Sequence, residues 1–159
     1  MKTSNVIKCW IVSLAIAGAT TCSALGEYVA AHPLAYVGGA SVRDGECVSL
    51  VKQATGAPLT TRWIRGVRVK GAKLASGTAI ATFGPNGRYA GHAALYLGQN
   101  AEGIRVVDQS GRRPAVRNAK GKLIQAARSA QPPAIRIIKW ASRGGHGEVD
   151  NGDLYFVVK

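Results

Sequence analysis

Acidic side chains are scarce in this chain of 159 residues: eight stand against 21 lysines and arginines, a net charge of +13 at pH 7. The basic residues are spread over 62–73, 112–122 and 128–143. Such a field attracts polyanions: wall polymers, anionic lipid surfaces or nucleic acid. Aromatics are also few, at 6%. No nucleic-acid-binding motif accompanies the charge, so stacking on bases and specific nucleic-acid recognition are not expected. There are three histidines (His32, His92, His146) and three cysteines (Cys9, Cys22, Cys47). None falls at a zinc-ligand spacing, and neither a metal nor another cofactor is expected. Long apolar runs are missing except over 9–19. That run follows Lys2 and Lys8 and precedes the small residues Cys22-Ser23-Ala24, the layout of a secretory signal peptide. It is short for a membrane span.

Residues 1–24 are therefore expected to be a cleaved leader, which puts the mature protein in the periplasm or outside the cell. Retention as an anchor and lipidation at Cys22 rank behind, since Thr21 before Cys22 departs from the lipoprotein pattern. Removing Lys2 and Lys8 takes two positive charges from +13 and leaves +11. It also removes Cys9 and Cys22, leaving Cys47 alone. In an oxidising compartment a disulfide needs a partner and a lone thiol is a liability, so a lone cysteine kept there is better explained by use. Cys47 falls in the first turn of a predicted helix over 44–56, with Asp44 as N-cap and Gly56 as its left-handed end. Cys47, Leu50, Val51 and Ala54 share one apolar face. Unpaired amides and the helix dipole favour a thiolate at that position. The competing reading is a buried cysteine that merely completes the apolar stripe.

The rest of the chain reads as an entry segment over 25–43, interrupted by Pro33, Gly38 and Gly39, then mostly strands. A connector begins at Pro58 and a turn of helix over 60–66 ends at Gly66. Strands are predicted over 77–83, 92–97, 103–109, 134–140 and 154–158, a short helix over 123–129, and a flexible loop over 142–147. One helix followed by consecutive strands makes an α+β fold, with the cysteine helix packed on an antiparallel sheet in a single domain over 25–159.

A nucleophilic thiol needs a base, and the base needs something to orient it. His92 would project from a rigid strand just after Gly91, whereas His32 lies near the mature N-terminus and His146 sits among glycines. If Tyr96 pairs with Ile104 across the hairpin, His92 falls opposite Asp108. A slip of one residue would present Gln109 instead and turn Asp108 away. Asp108 is favoured, because a carboxylate both holds the imidazole tautomer and stabilises its charged form.

At these residues the chain resembles the papain-like cell-wall hydrolases of the CHAP and NlpC families. Gly45-Glu46-Cys47 before an apolar helix, Trp63 and Gly66 beyond it, and Gly91-His92-Ala93-Ala94-Leu95-Tyr96 are similar to their motifs. Val107-Asp108-Gln109 resembles the strand carrying the third polar residue, commonly glutamate in CHAP enzymes, so Asp108 is a departure. The likeness covers about residues 44–110.

The resemblance implies a papain-like fold and hydrolysis of amide bonds in the peptide part of peptidoglycan. Cys47 would be the nucleophile, His92 the acid and base, and Asp108, or alternatively Gln109, the orienting group. Trp63 and Glu46 would contact substrate, and the backbone amide of Cys47 would serve the oxyanion. The expected partners are the peptidoglycan peptide and an inhibitory or immunity protein, with the enzyme a monomer. Two readings compete: a small basic periplasmic binding or inhibitor protein without catalysis, and a papain-like enzyme moving acyl groups on lipid or protein.

Overall fold

Mostly apolar stretches at 79–83, 93–97 and 104–107, the last interrupted by Arg105, lie close enough along the chain to pair through short turns. In the computed structural model, which describes residues 27–140 and 147–159, they form the middle of one antiparallel sheet. The strands are β1 (Arg65–Arg68), β2 (Ala79–Phe83), β3 (Tyr89–Gln99), β4 (Gly103–Ser110), β7 (Gln131–Lys139) and β8 (Tyr155–Val158), in the order β1-β8-β2-β3-β4-β7. A two-stranded ribbon of β5 (Val116–Arg117) and β6 (Leu123–Gln125) is inserted between β4 and β7. The predicted leader 1–24 (with Cys9 and Cys22) and His146 lie outside the described residues. No helix among those residues is long and apolar enough to cross a membrane.

The central strands carry apolar residues at consecutive positions, as over 93–97, because both sheet faces are covered there. Ala93, Leu95 and Val107 face one core with Leu50 and Val51 of the helix α1 (Cys47–Thr55). Ala94, Tyr96, Ile104 and Val106 face the other, against Val69, Ile138 and Tyr155. One helix laid on an antiparallel sheet is the α+β architecture that the residue pattern predicts.

Four local expectations change. The helix begins at Cys47, with Glu46 as N-cap, rather than at 44. The Asp44 carboxylate accepts from the Glu46 amide (3.1 Å) and so secures the turn ahead of the helix. Gly56 does end the helix, at φ 71°. Gly66 ends nothing: it lies within β1, where a Cβ would come within 2.8 Å of the Val157 carbonyl oxygen. Residues 123–125 are a strand, not a helix. Leu123 and Ile124 are exposed and have no core to pack on, so local cross-strand pairing with β5 takes over.

The fourth change is the hairpin register. Tyr96 pairs with Val106, not Ile104: the turn drawn tight around Asn100 sets Gln99 opposite Ile104, three residues from the expected register, and an irregularity between Tyr96 and Gly98 takes one residue back. The Asn100 side chain accepts from Glu102 N (2.9 Å) and Gly103 N (3.1 Å), and the Asn100 backbone N–H donates to the Gly103 carbonyl (3.0 Å). The slip of two residues preserves which side chains share a face.

Candidate active site

Cys47 opens α1 at its first helical position and is 3% exposed. The start of that helix is clamped to β4 by Gln109. The Val42 amide donates to Gln109 Oε1 (2.8 Å), and Gln109 Nε2 donates to the carbonyls of Val42 (3.0 Å) and Glu46 (2.9 Å). Gln109 therefore spends its amide on the backbone before Cys47 and does not hold the imidazole.

His92 is positioned by an irregularity in β3. Between the pairs Ala81↔Ala93 and Phe83↔Tyr89 the ladder shifts, with Gly91 at φ 100°. The Thr82 hydroxyl replaces the lost ladder bonds, accepting from the His92 amide (2.9 Å) and donating to the Ala90 carbonyl. A Cβ at Gly91 would fall 2.6 Å from that hydroxyl. Glycine is what permits the bend.

His92 Nε2 and Asp108 Oδ2 are 2.7 Å apart, both groups buried. Continuing the pairing Leu95↔Val107 sets Ala94 opposite Asp108, so His92 and Asp108 meet as a diagonal pair on one face. The directly opposed pairing predicted from the sequence is corrected by two residues, while the contact and the shared face are those expected. With Nε2 engaged, Nδ1 is left for the thiol.

Burial alone would raise the Cys47 thiol, but a hydrogen bond from His92, its charge, a hydrogen bond from Tyr89 and the Ala93 amide outweigh it and pull the thiol below its ordinary value. For His92, burial opposes the charged form. The hydrogen bonds to Asp108 and Cys47, with the charges of both, prevail and raise the imidazole to about 9. These opposed shifts favour the thiolate form of Cys47 and the charged form of His92, the combination a thiol nucleophile needs.

Two side chains that the sequence reading missed complete the site. Tyr89 places its hydroxyl 3.5 Å from Cys47 Sγ and 3.1 Å from the Gly91 carbonyl. Burial and the neighbouring sulfur push its phenol upward, so it stays a donor. Arg136 places Nε 2.6 Å from the same Asp108 oxygen that His92 uses, and Nη1 3.0 Å from Asp150 Oδ1. Tyr89 carried a signal, lying three residues before His92 on one strand. Arg136 carried none, because a basic residue in a basic chain is not conspicuous.

Trp63, expected to touch substrate, is 1% exposed. Its indole donates to the Pro58 carbonyl (3.0 Å) and packs edge-on against Tyr89, centroids 5.2 Å apart. That expectation is corrected: Trp63 backs Tyr89 from within the core. Glu46 does lie at the rim, its side chain 41% exposed, packed over Gly111 and 3.9 Å from Arg113. His32 is exposed before the short 3-10 helix Pro33–Tyr36 and takes no part in these contacts. Among the described residues no group of three or more His, Cys, Asp or Glu is arranged to hold a metal ion.

A domesticated amidase effector 2 from Ixodes scapularis is 42% identical over 78 residues, covering 45% of this chain and 55% of that protein. A type VI secretion amidase effector 2 protein from Salmonella typhi is 37% identical over 90 residues, 48% of this chain and 67% of that protein. The chain thus spans about half the length of the first relative and two thirds of the second. A solved structure of type 6 secretion amidase effector 2 (Tae2) superposes with a TM-score of 0.63 at 29% identity, covering 83% of this chain and 94% of that one. These likenesses are to amidase effectors, and none of them is to a protein named as CHAP or NlpC. The family model described as Dae2, domesticated amidase effector 2, matches residues 11–124, well over half of the chain, and the protein belongs to that family.

Proposed function

We propose that the protein is an exported cysteine amidase or endopeptidase that hydrolyses amide bonds in the peptide part of peptidoglycan. The observation that carries this reading is the row Cys47–His92–Asp108, with the thiol at a helix start and the imidazole 2.7 Å from a buried carboxylate. Its relatives' names, all amidase effectors, agree with an amide substrate.

The thiolate of Cys47 adds to the amide carbonyl carbon, and the oxygen takes the negative charge. Backbone amides at the start of α1, that of Cys47 among them, face the place where this charge develops. His92, already protonated, gives its proton to the leaving nitrogen; the C–N bond breaks and a thioester remains on Cys47. The now neutral imidazole takes a proton from water, whose oxygen adds to the thioester. The sulfur leaves as thiolate, and a carboxylic acid is released. Asp108 keeps Nε2 engaged throughout, so Nδ1 is the atom that exchanges the proton. Glu46 at the rim is the side chain that meets the substrate peptide.

The leader over 1–24 would deliver a mature chain from near Leu25 to the periplasm or beyond. The enzyme acts as a monomer, and a cell that makes it needs an inhibitory or immunity protein to spare its own wall. One preparation tests the reading. Protein recovered from the periplasm should begin near residue 25 and release peptides with new carboxyl and amino ends from purified sacculi, and Cys47→Ala should release none while unfolding at nearly the wild-type temperature. Intact sacculi together with an unreactive Cys47 would return the chain to the class of binding proteins.

A further inference from the structure

We propose that Arg136 is a positioning residue of this site, holding the Asp108 carboxylate in place against His92 while limiting how strongly that carboxylate stabilises the imidazolium. The inference rests on the cysteine-hydrolase reading and concerns its proton transfer. It also lies outside the family match, which ends at residue 124.

The geometry is specific. Asp108 Oδ2 receives His92 Nε2 at 2.7 Å and Arg136 Nε at 2.6 Å, so the two nitrogens stand no more than about 5.3 Å apart. In the β4–β7 ladder Asp108 pairs with Ala134 and Arg136 with Val106, which brings Arg136 diagonally beside the carboxylate on the same face. The planar guanidinium reaches a second carboxylate, with Nη1 on Asp150 Oδ1 at 3.0 Å. Asp150 belongs to the 3-10 turn Gly147–Asp150, whose Val149 carbonyl accepts from the buried Tyr155 hydroxyl at 2.6 Å. Val149 also packs near Gly91, beside the catalytic histidine. The C-terminal segment is thus tied to the reacting groups through one arginine fork.

The consequence is chemical. An imidazolium held too tightly by its carboxylate is slow to give its proton to a leaving amine. A guanidinium on the same oxygen draws off part of that carboxylate's charge and repels the imidazolium directly. His92 is met by Asp108 on β4 and by Cys47 at the helix start, whose sulfur also meets the Tyr89 hydroxyl; Glu46 precedes Cys47, and Asp150 and Tyr155 stand further out, on Arg136 and on the Val149 carbonyl. Arg136, joined to the same carboxylate, is the group that adds a positive charge opposing the ring.

Full-length protein labelled at its histidine rings is titrated by NMR, alongside the pH profile of Cys47 alkylation and of wall hydrolysis. Arg136→Gln should raise the apparent His92 midpoint by about half to one pH unit and slow turnover roughly tenfold, leaving KM little changed. Arg136→Lys keeps the charge but not the fork; its midpoint should stay near wild type while turnover still falls. Asp150→Asn removes an anion and leaves the arginine's charge less neutralised, so it should move the midpoint down, the opposite sign. A midpoint that is unmoved or lowered in Arg136→Gln, with only a loss of thermal stability, would make the arginine a structural brace and overturn the inference. If Arg136→Gln does not fold, the absence of a downward shift in Asp150→Asn overturns it instead. The ring titration reads this inference whether or not the wall is cut, whereas an unreactive Cys47 would sink the hydrolase reading alone.

Discussion

The site end of the sheet and the β5–β6 ribbon are neighbours along the chain, since β4 ends six residues before β5, yet they are held by different forces. Asp108 and Gln109 are buried, and each is fixed by partners far along the chain: His92 and Arg136 for the first, Val42 and Glu46 for the second. Two residues beyond Ser110 every side chain from 112 to 132 is exposed. The ribbon is held by its own backbone, through Arg113 and Arg128 and a turn in which the Asn118 side chain accepts from the amides of Lys120 and Lys122. It carries Arg112, Arg113, Arg117, Lys120, Lys122 and Arg128, with no acidic residue between Asp108 and Glu148. Precision to a few tenths of an ångström requires packing from several elements, whereas a diffuse positive field requires only that its carriers remain in water.

That contrast is broken most sharply at Asp108. Asp108→Ala should lower turnover roughly ten- to a thousandfold, with the nucleophile still present but poorly served. It also removes the strongest influence raising His92, so the alkaline limb of the activity profile should move down from about pH 9. A limb that stays in place would mean that another group sustains the imidazolium. The sign follows from the proposed mechanism: if His92 must hold its proton to serve the leaving nitrogen, activity should fade as pH rises through the histidine's value.

A smaller effect, of another kind, is expected one residue on. Gln109→Ala strands the Val42 amide and takes one donor from the Val42 and Glu46 carbonyls, which keep those of Gly45 and Ser49, and should cost roughly 1–3 kcal/mol of stability, read as a fall in the urea midpoint. Per folded molecule, its turnover should suffer less than that of Asp108→Ala. A greater loss at Gln109 would show that the clamp on the Cys47 turn matters more than the orienting carboxylate.

The smallest effect belongs to the ribbon. Replacing Lys120 and Lys122 together by Gln should change stability by no more than about 0.5 kcal/mol. It should weaken association with an anionic wall polymer at low salt, and the difference should vanish as salt is raised. A marked stability loss would mean that the ribbon packs on the sheet after all.

Most of the site was legible because its signals are local. A cysteine in the first turn of an apolar helix is visible from spacing alone, and so is a histidine that opens a strand after glycine. The His92–Asp108 contact survived a hairpin register wrong by two residues, since an even slip leaves each side chain on its face. An odd slip would have brought up Gln109. The roles of Trp63 and Arg136 were not legible: a tryptophan beside a motif reads alike whether it lines a cleft or backs a tyrosine, and an arginine among 21 basic residues draws no notice.

What the chain's own order of residues determined is the cysteine helix, the central strands, the candidates Cys47 and His92, and the sign of the field, because these depend on neighbours within one helical turn or one strand pair. What only the tertiary structure decided is the strand order β1-β8-β2-β3-β4-β7 and the insertion of the C-terminal strand beside β2. It also decided the meeting of Asp108 with Arg136, 28 residues apart, and of Gln109 with Val42, 67 apart. Such contacts form only when the whole sheet closes, since each depends on burial and on partners that no local stretch contains.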